Sequence, residues 1–166
     1  MGHYEVQGMT LIPQQLRMSC WYASAQMLIK WRQDLTRQSL SWLVPPELDA
    51  ECVKIRDGNA GIFNPQIVPM AKRLGLRAVP PLSPTVEALE RWLGTYGPLW
   101  VNGKSHIVVI AGIDTPSLEV KVYDPGPVKI GQIEWRSLVD WYAFGTSVST
   151  RDTSPDVETV FLYVPR

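Results

Sequence analysis

Apolar positions along the first half of the chain recur at helical spacing, and along the second half they alternate or run together as strands do. From Cys20 to about Arg32, the residues Trp21, Ala25, Leu28 and Trp31, flanked by Met27 and Ile29, predict a helix with Ser19 as its N-cap. The apolar stretch "SLSWLVPPELDAECVKI" is interrupted by two prolines, which predicts short helical pieces, followed by a loop at "DGNAGIF". In "NPQIVPMAKRLG", Asn64 as N-cap, Pro65 in the first turn and Gly75 beyond the last apolar position frame a second helix. "SPTVEALERWLG" frames a third, from Ser83 to Gly94. The period then changes: "PLWVNG", "SHIVVIAGID", "LEVKVYD", "VKIGQIEW" and "VETVFLYV" read as strands separated by Gly, Pro and Asp turn signals, with a short helix at "WRSLVDWYAF" before the last. Helices first and an antiparallel sheet second make an α+β fold, a single domain over residues 1–166, with a helical half packed on a β half and a cleft along the seam.

Composition removes several function classes. Of 166 residues, 45% are hydrophobic and 19% charged, the balance of an ordinary folded domain. Sixteen Lys and Arg offset sixteen Asp and Glu, scattered along the chain, so no electrostatic case arises for nucleic acid or an acidic membrane surface. The apolar run "IVVIAGI" at 107–113 is far short of the roughly 20 residues that span a bilayer. The amino terminus lacks the basic-then-apolar order of a secretory leader, and Val6 stands where a myristoylation signal needs Ser or Thr. A soluble protein is expected. Two cysteines make no disulfide framework, and without C-x-x-C or H-x-x-x-H pairs no metal site or other cofactor is expected.

One cysteine is placed where chemistry would want it. Cys20 opens the first helix, where unsatisfied backbone N–H groups and the positive end of the helix dipole lower a thiol's pKa from about 8.5. The plain alternative is a buried cysteine acting as a small hydrophobe. A nucleophilic thiolate needs a base, and the base needs an orienting acceptor. His3 sits in a terminus expected to fray, so the base candidate is His106, which opens the apolar strand "HIVVIAGID"; its alternative is a satisfied histidine at a sheet edge. Asp124 ends the next strand, and an antiparallel hairpin through "DTPS" brings it beside the start of the previous one, although Asp-Pro-Gly is also an ordinary turn.

"PQQLRMSCWYASAQM", "GPLWVNGKSHIVVIAGID" and "VYDPG", in this order and at these separations, resemble the bacterial papain-like cysteine peptidases. The likeness spans nearly the whole chain and is nearest to the staphopain-like and plant-pathogen effector branch, with kinship to the double-glycine peptidases. It implies a papain-like fold and a cysteine endopeptidase that cleaves protein or peptide substrates through a thioester. It further implies Cys20 as nucleophile, His106 as its partner, Asp124 as the orienting acid, and Gln14, six residues before the cysteine, as an oxyanion donor, with Gln15 as the adjacent alternative. Arg-Met-Ser precedes Cys-Trp here where papain itself has Cys-Gly-Ser, so the subsites of the plant enzymes do not carry over. The same constellation serves acyltransferases and deamidases, and a catalytically idle peptide-binding module is the reading from another class.

The resemblance also implies that "DGNAGIF", about forty residues beyond the nucleophile, pairs with extended substrate, with Gly58 and Gly61 permitting close approach; the plain alternative is a turn leading into the "NPQIVPMAKRLG" helix. Trp21 is expected to shape the cleft, while Cys52, in "DAECVKIRDG" with no base nearby, reads as structural. Chains of this pattern include effectors and toxins secreted or delivered into a target cell and restrained by an immunity or inhibitor protein. The helical reading starts within about twenty residues of the first, which leaves no room in it for an inhibitory propeptide.

Overall fold

The computed structural model describes residues 2–79, 85–102, 106–138, 140–141 and 160–166. Its elements in chain order are β1 (His3–Glu5), α1 (Cys20–Thr36), a 3-10 turn (Pro46–Leu48), α2 (Ala50–Gly58), α3 (Asn64–Leu74), β2 (Arg77–Ala78), α4 (Val86–Tyr96), β3 (Leu99–Asn102), β4 (Ile107–Asp114), β5 (Glu119–Asp124), β6 (Gln132–Ser137) and β7 (Phe161–Tyr163). Helices precede most of the sheet, the α+β arrangement expected from the change of period. The strands lie in the order β2-β7-β3-β4-β5-β6, every neighbouring pair antiparallel, with β1 joined to the far end of β4. β3 is buried throughout and β4 at all but its last residue, which explains their unbroken apolar runs: helices cover the sheet and leave no wet face there to alternate with.

α1 is the inner helix. Trp21, Ala25, Met27, Leu28 and Ile29 are essentially inaccessible and pack into one core with Trp100, Ile110, Leu89 and Met70. At roughly 1.5–3 kcal/mol for each large apolar side chain buried, this core is what holds the helical half to the sheet. Two polar bonds fix the position of α1 along the sheet: the Trp100 indole donates to the Trp21 carbonyl at 3.0 Å, and the Ser24 hydroxyl donates to the Ile107 carbonyl at 3.4 Å. They bring the first turn of α1 to the start of β4.

Several boundaries fall differently from the sequence expectation. Ser19 holds the N-cap position of α1 as expected, but its side chain makes no capping bond, because its Oγ accepts from the Leu16 N–H and donates to the Leu16 carbonyl, both at 3.1 Å, and is spent on the turn before the helix. Asn64 is the first residue of α3, not its N-cap; Phe63 holds that place, and its N–H donates to Gln66 Oε1 at 2.8 Å. Gly75 ends α3 in the left-handed conformation, as its position suggested. α4 is capped by Thr85, whose hydroxyl accepts from the Ala88 N–H, and runs through Gly94 to stop at Gly97. Gly97 has a φ of 86°, and a Cβ there would come within 2.3 Å of the Trp31 ring, so neither the turn nor the packing admits a side chain. Ser83 lies outside the described residues.

The expected helix at "WRSLVDWYAF" is corrected at its start: Trp135, Arg136 and Ser137 belong to β6, in unbroken register with β5 from Glu119↔Ser137 to Asp124↔Gln132. The "VKIG" half of the fourth expected strand forms a turn instead, the N–H groups of Ile130 and Gly131 both donating to the Pro127 carbonyl. His3 is not frayed. It pairs with Asp114 in the sheet, its ring bonded to Asp114 Oδ1 at 3.0 Å and to Glu5 Oε2 at 2.8 Å. Among the described residues no helix is long and apolar enough to cross a membrane.

Candidate active site

The segment leading into α1 is tied down on both sides. Gln14 donates from Nε2 to the carbonyls of Leu16 at 3.0 Å and Arg17 at 2.8 Å, and the Met18 N–H donates to Asn59 Oδ1 at 2.9 Å. Cys20 is the first residue of the helix, so its N–H is one of the donors that a helix cannot satisfy internally. Across the seam, His106 is 9% exposed at the mouth of β4 and its Nε2 lies 2.6 Å from Asp124 Oδ1. The register pairs Ile110 with Val122, and alternation from that pair carries His106 and Asp124 onto one face of the sheet. With Nε2 taken by Asp124, the ring nitrogen left for the hydrogen bond to the Cys20 side chain is Nδ1.

Asp124 is wholly buried yet fully engaged. Oδ1 also accepts from the Gly126 N–H at 2.8 Å, and Oδ2 accepts from Arg136 Nη2 at 2.6 Å. Arg136, itself 7% exposed, donates from Nε to Glu134 Oε1 at 2.7 Å and from Nη1 to the Trp141 carbonyl at 3.1 Å. Val120 faces Arg136 and Asp124 faces Gln132 in the β5–β6 ladder, so the guanidinium reaches along the shared face, past Glu134, to the carboxylate. Arg136 was not anticipated from sequence. The signal that could have found it is the strand period from Asp124 together with the β6 register, and the latter is obscured when that segment is read as a helix.

Burial works against charge on His106, but the bonds to Asp124 and Cys20 and their charges outweigh it and push the imidazole from 6.5 up to about 9. For Asp124, burial favours the neutral acid, while His106 and then Arg136 hold the carboxyl below its ordinary range. Cys52 is a different thiol: fully buried behind the Asp49 cap of α2, it is pushed up to about 12 by burial and by the neighbouring carboxylate.

A cleft of about 220 Å³ opens over Cys20 and His106, walled by Met18, Gly61, Ile62, Phe63 and Asn64 and closed at the back by Asn102. A larger hollow of about 430 Å³ at the carboxyl end of α1 is bordered by Gln33, Asp34, Arg37, Gln38 and Ser39 and contains no nucleophile with a base. Of the residues singled out from sequence, Cys20, Trp21, Gly61 and His106 border the cleft, and Asp124 stands behind His106. Trp21 is fully buried, so it is floor and not rim. Gly58 lies outside the cleft lining; it closes α2, and nothing stands within 4 Å of where its Cβ would be. Gln14 is buried with both amide hydrogens engaged by carbonyls, and Gln15 borders a separate groove with Tyr22 and Arg56. Among the described residues no group of three or more His, Cys, Asp or Glu side chains could hold a metal ion.

Solved structures of other proteins share the fold. The peptidase domain of Streptococcus ComA, a bi-functional ABC transporter involved in quorum sensing, superposes with a TM-score of 0.56 at 16% identity, covering 95% of this chain and all of that domain. UfSP from C. elegans superposes with a TM-score of 0.56 at 17% identity, covering 100% of this chain but 34% of its own length. At such identities these likenesses speak for the fold. No curated protein matches in sequence. The sequence model of the family described as papain-like cysteine protease AvrRpt2 matches residues 3–143. The chain therefore belongs to the AvrRpt2 family of papain-like cysteine proteases.

Proposed function

We propose that this protease hydrolyses peptide bonds of protein substrates through Cys20, His106 and Asp124, with a thioester at Cys20 as the intermediate. The observation that carries the reading is the buried imidazole held between the Asp124 carboxylate and the Cys20 thiol at the seam of the two halves. In this reading the Cys20 sulfur attacks the scissile carbonyl, the Cys20 N–H receives the oxyanion, and the His106 imidazolium protonates the leaving amine. Water then enters, the neutral imidazole takes its proton, and the C–S bond breaks to release the acid. Gln14 joins the oxyanion site by turning one amide hydrogen away from the Leu16 or Arg17 carbonyl, a second donor of about 3 kcal/mol to the transition state.

The test is selective alkylation. Iodoacetamide at pH 6 is expected to modify Cys20 at least about a hundred times faster than Cys52, because Cys20 opens onto the cleft beside the His106 imidazole whereas Cys52 is fully buried and pushed up to about 12. The sign for pH follows from His106: its charge is complete at neutral pH and is lost as pH rises through about 9, so both alkylation selectivity and turnover are expected to decline there. Peptide mapping that finds the two cysteines equally reactive would remove the catalytic assignment.

We assign Gly61, on the cleft wall, to backbone contact with extended substrate. Its φ of 81° and the Met18 methyl 3.3 Å from where a Cβ would sit mean that any side chain strains the loop. Gly61→Ala is therefore expected to cost about 1–2 kcal/mol of stability. If substrate pairs there, kcat/KM also falls several-fold, while Cys20 alkylation keeps its rate. Unchanged kcat/KM in the folded fraction would remove Gly61 from the substrate path.

A further inference from the structure

We infer that Arg136 is a positioning residue that keeps Asp124 ionised during the part of the reaction in which His106 is neutral; this rests on the proposed thioester mechanism. A carboxylate with no exposed surface, such as Asp124, takes up a proton unless charge and hydrogen bonds compensate it. Three donors meet it: the Gly126 N–H, the His106 ring and the Arg136 guanidinium. The Gly126 amide carries no charge, and His106 loses its charge when it gives its proton to the leaving amine. A guanidinium, by contrast, is a permanent cation that takes no part in the proton transfers. Arg136 is seated for that duty, its Nη2 2.6 Å from Oδ2 and its other nitrogens bonded to Glu134 and the Trp141 carbonyl.

The two chemical steps make different demands on this pair. In acylation the C–S bond forms, the C–N bond breaks, and the proton on the imidazolium leaves with the amine. In deacylation the neutral imidazole must take a proton from water as the water oxygen bonds to the carbonyl carbon and the C–S bond breaks, returning the electron pair to sulfur. An anionic Asp124 strengthens that base by stabilising the imidazolium as it forms; a protonated one does not. Arg136 acts on the second step far more than on the first.

Acetylation by p-nitrophenyl acetate separates the steps without knowledge of the natural substrate. The acetyl group is loaded on the parent chain and on Arg136→Met, Arg136→Gln and Arg136→Lys, excess reagent is removed, and the gain and loss of the acetyl mass on Cys20 are timed. Arg136→Met is expected to slow hydrolysis of the acetyl-enzyme about tenfold or more while its formation changes less than about threefold; Arg136→Lys restores part of the rate. Arg136→Gln, which keeps a donor without the charge, carries the same expectation as Met and serves if the Met variant does not fold. Equal slowing of both steps, or unchanged hydrolysis in a folded neutral variant, overturns the inference. A parent chain that is not acetylated at Cys20 overturns instead the mechanism beneath it.

Discussion

Cys20→Ala is expected to leave no measurable peptide hydrolysis, a loss of about 10⁴–10⁶ in kcat, because the members of such a unit fail together and only binding and oxyanion stabilisation remain. His106→Ala is expected to fall in the same range, and the double variant no lower. The fold should survive. Cys20 is only partly buried, so losing its sulfur leaves a small defect at the cleft floor, and the melting temperature should move little. Digestion of an unfolded protein such as casein, read beside a thermal melt, checks both halves of the statement; turnover retained by a folded Cys20→Ala protein would assign the chemistry elsewhere. The same pair of chains, produced in bacterial cytosol, tests the reading of this protein as a toxin delivered into other cells, since equal growth of the two cultures would sink it.

Asp124→Asn is expected to lower kcat by about 10²–10³ and, unlike Cys20→Ala, to lower stability as well. Papain-like sites accept an amide as the orienting group, and from the sequence this change should simply cost less than loss of the thiol. The surroundings of Asp124 sharpen that. Oδ1 accepts from Gly126 and His106 while Oδ2 accepts from Arg136, so all the neighbours are donors and none can receive from an amide N–H₂. Whichever way the introduced amide turned, its N–H₂ would face another donor, and Arg136 would lose its buried counter-charge. Breaking one side of a buried pair costs about 3–5 kcal/mol. Chemical denaturation together with turnover measures this, and a melting profile identical to the parent's would show that Arg136 finds other compensation.

What could be read from the sequence divides along physical lines. α1, α3 and β5 were legible because each has enough residues to display its period, β4 because its long apolar run is bounded by turn signals, and Gly75 marks a helix end by a conformation few residues share. β1 and β2, of three and two residues, hold their places through partners far along the chain, β4 and β7, and no local pattern encodes that. The cap of α3 falls one residue earlier than expected, at Phe63, and Ser19 keeps its place before α1 but spends its hydroxyl on Leu16, a competition that residue type alone does not reveal. Cys20, His106 and Asp124 could be singled out because each stands at the end of an element, where backbone pattern and chemistry coincide. Arg136 could not, since its role depends on strand register and on the reach of its side chain.

The sheet order has a consequence for how activity arrives during folding. The hairpins β3–β4, β4–β5 and β5–β6 each join near neighbours, and the second brings His106 within reach of Asp124 across 18 residues, whereas β1 closes onto β4 from His3 to Asp114 and β3 onto β7 from Trp100 to Leu162. Closures of that span are slow and come late, placing this topology among the milliseconds-to-seconds folders. Asp124 can hold His106 as soon as the β4–β5 hairpin forms, but Cys20 meets them through the docking of α1 on β3 and β4 at Trp100 and Ile107. Pairing of β4 with β5 thus orients the imidazole, and docking of α1 is the separate event that brings the thiol to it.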